Sequence, residues 1–282
     1  MITHPNFLSA IADTTHALKT RSQLVHSANW QGVDISKKPE MAMHELLHHS
    51  IKVSLKGIED LDTYRLDIEP NLPWADDHFD ERVCGQPINP GVEWKNWPYG
   101  NSAKNFLDKN GQFNHNYMER YWPKNAGLFS EASTDPKEYA ARAYGLGGAD
   151  PLQGIRYNYG DLDDVVTLLA RDPLTRQAFL PIWFPEDTGG GNGRAPCTLG
   201  YHFIMRDGKL DITYYIRSCD YVRHFRDDIY LTTRLLLWML DKLRADDATR
   251  PPEHRKWTNV VPGTFVMHIT SLHLFRNDFS QL

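Results

Sequence analysis

Cys197 is the side chain in this sequence best placed to do covalent chemistry. It follows Arg194-Ala195-Pro196 at the end of the glycine run Gly189-Gly190-Gly191-Asn192-Gly193, and it opens a stretch with strand character. A thiol attacks only as thiolate, so a nearby cation that lowers its pKa is the feature to look for, and Arg194 and Arg217 are the candidates. A cysteine in isolation is more often a small buried hydrophobe, so Cys197 gains meaning only from its surroundings. A second constellation, His44-Glu45-Leu46-Leu47-His48, fits the H-E-x-x-H pattern. On a helix, His44 and His48 would share one face and could hold zinc while Glu45 activates water. No third ligand follows at metzincin spacing, and a chain with 13 histidines produces such a pattern by chance. The glycine run lacks the Lys-Ser/Thr of a phosphate-binding P-loop and reads as a mobile loop.

The elements that must position these groups alternate between helix and strand. A helix is expected from Asn6 towards Thr20. A second, carrying the H-E-x-x-H residues, is expected from Glu40 to Lys56, where Met41, Leu46, Leu47, Ile51 and Leu55 give a rough apolar face. The stretch from Leu61 to Lys124 is rich in Pro, Asn, Asp and Trp, and reads as a long surface insertion within one domain spanning 1–282. A helix from Asp161 to Arg171 stops at Asp172-Pro173. A strand from Gln177 to Phe184 follows. Thr198 to Met205 and Leu210 to Arg217 flank Asp207-Gly208, a strong hairpin signal. A long helix from about Asp228 to Leu243, an exposed charged loop from Arg244 to Lys256 and a last strand from Thr264 to Phe275 complete an α+β pattern.

Bulk properties exclude several classes. The 282 residues, 41% hydrophobic, suffice for one sizeable core. The net charge of −5 supplies no basic face for a nucleic-acid backbone. No apolar run approaches the roughly 20 residues of a membrane span, and no signal peptide is visible. Three cysteines cannot all pair within the chain, which points to reduced thiols and a cytoplasmic setting.

Pro196-Cys197, the Asp207-Gly208-Lys209-Leu210 turn and Arg217-Ser218-Cys219-Asp220 together resemble the thymidylate synthase family, with the interval from Cys197 to Asp220 free of gaps. Asp172-Pro173-Leu174-Thr175-Arg176, Trp183, Tyr144-Gly145, His44-Glu45-Leu46-Leu47 and His273-Leu274-Phe275 resemble further family segments. The resemblance implies a thymidylate synthase-like fold, with a mixed sheet packed with helices and a sheet-mediated homodimer. It implies a nucleoside monophosphate substrate and 5,10-methylenetetrahydrofolate as one-carbon donor. Cys197 would add to carbon 6 of the pyrimidine, making carbon 5 nucleophilic. Glu45 would handle protons through water, and Tyr144 would help remove the carbon 5 proton. Arg217, Ser218, Arg176 (reaching across the dimer) and Arg21 would bind phosphate, where guanidinium forks match its oxygens. His273 would meet the sugar, and Asp220 and Trp94, with Trp97, the folate.

The departures from the family's pattern carry their own implications. Where the family reads the uracil edge with asparagine, the gap-free position is Asp228, beside Asp227. A carboxylate accepts from the 4-amino group of cytosine and repels a uracil carbonyl unless protonated. This resembles the cytidylate 5-hydroxymethylase branch, acting on dCMP or CMP; the bland reading is a helix-capping aspartate. The chain stops soon after His273-Leu274-Phe275, and an open site would admit water to the exocyclic methylene, giving hydroxymethyl rather than methyl. Thr198 stands where the family has histidine, Gln177 replaces an arginine, and Phe275 replaces tyrosine, which leaves ribose or deoxyribose open. The alternatives are a thymidylate synthase or dUMP hydroxymethylase, a zinc hydrolase through His44 and His48, and a nucleotide-binding protein with no reactive thiol.

Overall fold

The computed structural model describes residues 2–30, 33–113, 115–125, 159–189 and 194–282. Its centre is a six-stranded mixed sheet in the order β1-β4-β8-β7-β6-β5, formed by β1 (Gln23–Val25), β4 (Met43–Ser54), β5 (Phe179–Pro181), β6 (Thr198–Arg206), β7 (Lys209–Asp220) and β8 (Val261–Phe275). Two short strands, β2 (Asn29–Trp30) and β3 (Val33–Asp34), pair separately. All the pairings in the large sheet are antiparallel except β7 with β8.

Sequence dictates the β6–β7 hairpin directly. Asp207 and Gly208 take φ values of 50° and 69°, the left-handed pair a two-residue turn between twisted strands requires. Parallel β7 and β8 need a crossover, and the long helix Phe225–Ala248 supplies it, burying Ile229, Leu235, Leu236, Met239, Leu240 and Leu243. The expected N-terminal helix is α1 (Phe7–Arg21), capped where Asn6 Oδ1 accepts the Ser9 N–H at 3.0 Å. The helix before the hairpin (Leu162–Arg171) is capped by Asp161 as its sequence suggests. In chain order the longer helices are α1, α2 (Leu61–Ile68), α3 (Trp74–Arg82), α4 (Tyr117–Tyr121), α5 (Leu162–Arg171) and α6 (Phe225–Ala248).

Four expectations are corrected. The segment read as a helix over Glu40 to Lys56 is β4, paired with β8 from Met43–Phe275 to Ser54–Thr264. Its His-Glu-Leu-Leu start favours helix locally, but the alternating burial of Ile51, Val53 and Leu55 and the long partner strand override that preference. The stretch 61–124 is no surface appendage: Tyr64, Ile68, Trp74, Phe79, Tyr121 and Trp122 belong to the main core. Its helices are only eight, nine and five residues long, too short to display a clear period. The loop expected from Arg244 remains helical to Ala248, because Asp247 is fully buried and accepts the backbone N–H groups of Lys256 and Trp257. The strand expected over Gln177 to Phe184 is reduced to three residues, ending at Pro181, which has no N–H to give.

One sheet face is covered by α1 and α6. On the other, Phe179, Tyr215 and His268 form a row, with Tyr215 stacked on His268 at 5.4 Å and His268 bonded to Ser50 Oγ at 2.9 Å. Among the described residues no helix is long and apolar enough to cross a membrane.

Candidate active site

Cys197 sits at the entrance to β6, where its carbonyl accepts the Arg217 N–H from β7 at 2.9 Å. The Arg217 side chain fixes the same loop. Its Nε donates to the Pro196 carbonyl at 2.8 Å and a terminal nitrogen to the Ala195 carbonyl at 2.9 Å, with the guanidinium 5.4 Å from the Trp183 ring centre. Burial pushes the Cys197 thiol up, Arg217 and Arg194 pull it down, and Asp228 and Asp220 push against them. The two cations expected from sequence therefore act on this sulfur, and the thiol rests protonated until a base or ligand alters the balance.

Asp228 lies in the first turn of α6, half-buried. Burial pushes its carboxyl up to about 7, against the pull of Arg82 and of hydrogen bonds from Cys219 and Tyr214. Cys219 Sγ is 3.7 Å from Asp228 Oδ2. The neighbouring Asp227 is committed elsewhere: its two oxygens accept the backbone and side-chain N–H groups of Asn71, each at 2.8 Å. Of the two adjacent carboxyls, Asp228 is the one left for chemistry.

Thr198, at the position after the nucleophile, bonds the Tyr214 hydroxyl at 2.8 Å and donates to the Tyr117 hydroxyl at 3.3 Å. Burial raises Tyr117, and the charges of Cys197 and Asp228 raise it further. The structure thus brings Cys197, Arg217, Asp228, Thr198, Tyr214 and Tyr117 into one cluster. Tyr144 lies outside the described residues, as do Gly190 to Gly193. Tyr117 was missed in the sequence because it falls in the stretch dismissed as insertion; the Asn116 to Glu119 capping box was the available signal of an ordered helix there.

Asp220, at the end of β7, is buried and well bonded. Its Oδ1 accepts the Val222 and Arg223 N–H groups at 3.0 Å each, and its Oδ2 accepts from the Arg223 guanidinium at 2.9 Å. Arg223 also holds Asp278 at 2.7 Å, tying the segment Arg276–Gln281 to the site. His224 is pushed down to about 4 chiefly by burial, and Trp97 stacks on it at 4.8 Å. Trp94 packs edge-on against Phe113 at 5.4 Å, and its buried Nε1 has no acceptor among the described residues. A flat aromatic platform, an orphaned indole N–H and a carboxylate with a free lone pair on Oδ2 fit a folded-in heteroaromatic ring.

The other expected site residues are spread over β4, β7, β8, α1 and the segment before β5. Glu45 stands on β4 opposite His273 of β8 and accepts from Ser271 Oγ. His273 is held down mainly by burial, while Asp220 and Glu45 draw it up. Ser218 pairs with Ser271 across β7 and β8. Arg21 is exposed at the end of α1, where its charge bears on His49. Arg176 is exposed before β5 and offers only its carbonyl, to His202 at 3.1 Å. The zinc reading fails on geometry: His44 and His48 lie on a strand, about 13 Å apart by strand rise, and His44 stacks on Phe279 instead. Among the described residues no group of three or more His, Cys, Asp or Glu could hold a metal ion.

The sequence profile of thymidylate synthase matches residues 90–247, more than half of the chain. The chain belongs to the thymidylate synthase family. A Methanosarcina barkeri relative bearing the thymidylate synthase name is 25% identical over 157 residues, covering 52% of this chain and 64% of its own length. The thymidylate synthase of Mycoplasma pneumoniae is 24% identical over 193 residues, 67% of this chain and 56% of that one. The deoxycytidylate 5-hydroxymethyltransferase of Enterobacteria phage T4 is 24% identical over 181 residues, 60% of this chain and 70% of that one. The chain thus spans less than two thirds of the length of the first two of these relatives.

Proposed function

We propose that this protein is a cytidylate 5-hydroxymethyltransferase, moving a one-carbon unit from 5,10-methylenetetrahydrofolate to carbon 5 of dCMP or CMP. The observation that carries this reading is Asp228: a half-buried carboxyl, 3.7 Å from the Cys219 sulfur, where the family reads the base with an amide. As a carboxylate it accepts from a 4-amino group and opposes a carbonyl at that position.

Cys197 attacks carbon 6, its thiolate favoured by Arg217 and Arg194. Arg217 also offers the phosphate its remaining N–H groups, with Ser218 beside it, while Arg176 and Arg21 approach from farther elements. Tyr117 helps remove the carbon 5 proton by orienting a water, the role the resemblance gives to Tyr144. Glu45 serves protons from the His273 side, and His273 meets the sugar. Asp220, Trp94 and Trp97 would hold the folate, which when bound supplies carbon at the oxidation level of formaldehyde. Water then adds to the exocyclic methylene of the nucleotide, and the bond between Cys197 and carbon 6 breaks, restoring the ring double bond and the free thiolate. A homodimer through the open sheet face around Phe179, Tyr215 and His268 would bring the exposed Arg176 to a neighbouring site, in a cytoplasmic enzyme.

A thymidylate synthase or dUMP hydroxymethylase is the second reading. It is favoured by the raised pKa of Asp228, because the acid form can donate to a uracil carbonyl. Incubation with CMP, dCMP and dUMP plus methylenetetrahydrofolate, followed by mass analysis, separates them. A gain of CH2O on a cytosine nucleotide is expected; a gain of CH2 on dUMP alone overturns the proposal. Cys197→Ala should abolish turnover, and retained activity would remove the covalent scheme.

A further inference from the structure

Three side chains from one short segment grip the chain on both sides of Cys197. His115, two residues before α4, is only 6% exposed, and its Nδ1 lies 3.0 Å from the Arg194 carbonyl. A carbonyl can only accept, so the single proton of the neutral imidazole sits on Nδ1. Burial, with the charges of Arg194, Arg120 and Arg217, holds His115 well below its ordinary range and keeps it in that form. The Tyr117 hydroxyl accepts from Thr198 Oγ1 at 3.3 Å, immediately after the sulfur in sequence. Arg120, 2% exposed, closes on Asp187 with two bonds of 2.9 Å, and Asp187 Oδ2 also accepts the Phe184 N–H at 2.8 Å. The backbone at the sulfur is tied as closely. Of the four carbonyls from Arg194 to Cys197, those of Ala195, Pro196 and Cys197 are held by Arg217, at 2.9, 2.8 and 2.9 Å. The Arg194 carbonyl is held by His115.

We propose that His115 is a positioning residue for the covalent step: its Nδ1 hydrogen bond to the Arg194 carbonyl, three residues ahead of Cys197, sets where the sulfur stands against a pyrimidine held from β7. The inference rests on Cys197 being the nucleophile. In that step the thiolate pair forms the bond to carbon 6 and the π pair between carbons 5 and 6 moves to carbon 5, with no other bond to the ring broken. Addition requires the reacting atoms about 3–3.5 Å apart and aligned, and a misplacement of about 1 Å can cost about a hundredfold. Arg217 and Ser218, by contrast, stand on β7, between β8 and β6 in the sheet, where the Arg194 carbonyl does not fix them. Loss of the His115 donor should therefore slow addition of the sulfur and leave nucleotide binding nearly intact.

Covalent trapping tests this. A 5-fluoro nucleotide with methylenetetrahydrofolate leaves the adduct in place, because fluorine cannot depart from carbon 5 as a proton does. The rate of adduct formation at Cys197 is read by rapid quenching and mass analysis, with whichever of 5-fluoro-dCMP and 5-fluoro-dUMP the wild-type protein takes, and the Kd of the same nucleotide by calorimetry. In His115→Leu, which fills the space without a donor, the rate should fall about tenfold to a hundredfold while Kd stays within about threefold. His115→Asn, whose amide nitrogen stands where Nδ1 does, should recover most of the rate. His115→Gln, closer in volume but with its nitrogen at the Nε2 position, should not; a side chain that merely filled space would rank the two the other way. If His115→Leu does not fold, the order of Asn over Gln decides alone. A wild-type rate in His115→Leu, or a Gln variant as fast as the Asn variant, overturns the role of His115 and leaves the nucleophile standing. A wild-type protein that forms no adduct with either nucleotide overturns the reading of Cys197, and this inference with it.

Discussion

Replacing Asp228 by asparagine should make the protein more stable and less selective for cytosine at once. The carboxyl is half-buried, and its desolvation lifts it from an ordinary 3.8 to about 7. Between those values the unfolded chain has released its proton and the folded chain has not, so stability falls as pH rises. Each pH unit across that window is about 1.4 kcal/mol, and above pH 7 the accumulated penalty is on the order of 4 kcal/mol. The amide of the variant carries no such penalty and still offers an acceptor to Tyr214. The stability advantage of Asp228→Asn over wild type should therefore grow by about 3 kcal/mol between pH 5 and pH 8. Urea unfolding of both proteins at the two pH values measures this directly, because every other titrating group is common to the pair. An advantage of equal size at both pH values would refute the reasoning. The same substitution turns an acceptor-only edge into a donor–acceptor edge. The ratio of kcat/KM for dCMP over dUMP should fall by about a hundredfold, as expected when one contact is lost and one repulsion relieved.

Three further outcomes follow from the packing. Arg217→Gln, in a Cys84→Ser background that removes the exposed thiol, should shift the iodoacetamide reactivity of Cys197 to higher pH, since a cation favouring thiolate is gone; an unshifted profile would detach Arg217 from the sulfur. Gly200→Ala should destabilise by about 1–3 kcal/mol in urea unfolding, because a Cβ there would overlap the Phe179 ring and stand 2.7 Å from the Leu180 carbonyl of β5. Arg120→Met should lose about 3–5 kcal/mol by the same measurement, stranding the buried Asp187 that Arg120 grips with two bonds of 2.9 Å. Adding Asp187→Asn to that variant should recover part of the loss.

The parts of the site that were legible in the sequence are those whose geometry is local. From Cys197 to Asp220 the chain is one strand, a two-residue turn and a second strand, so sequence spacing translates directly into position across a hairpin. The register Thr198–Ile216 places Arg217 beside the loop of Cys197 without any contribution from the rest of the fold. Asp228 was legible for the same reason, lying one short turn beyond β7 at the start of α6. Where the sequence misled, the deciding contacts were remote. Met43 to Ser54 became a strand because β8, more than two hundred residues later, was there to pair with it.

Tyr117 and Arg82 show the same limit from the other side. Both come from short elements in a stretch with no clear period; a capping box marks the helix of Tyr117, but no motif marks either side chain. Their importance arises only in the folded chain, where the Tyr117 hydroxyl meets Thr198 and the buried Arg82 guanidinium lies over the Tyr117 ring. Arg82 draws the Asp228 carboxyl down against its desolvation, so without that charge the carboxyl would resist ionisation still more strongly. The pair therefore marks where reading this family from its hairpin alone stops: the nucleophile is encoded locally, whereas the charge state of the group beside it depends on residues more than a hundred positions away.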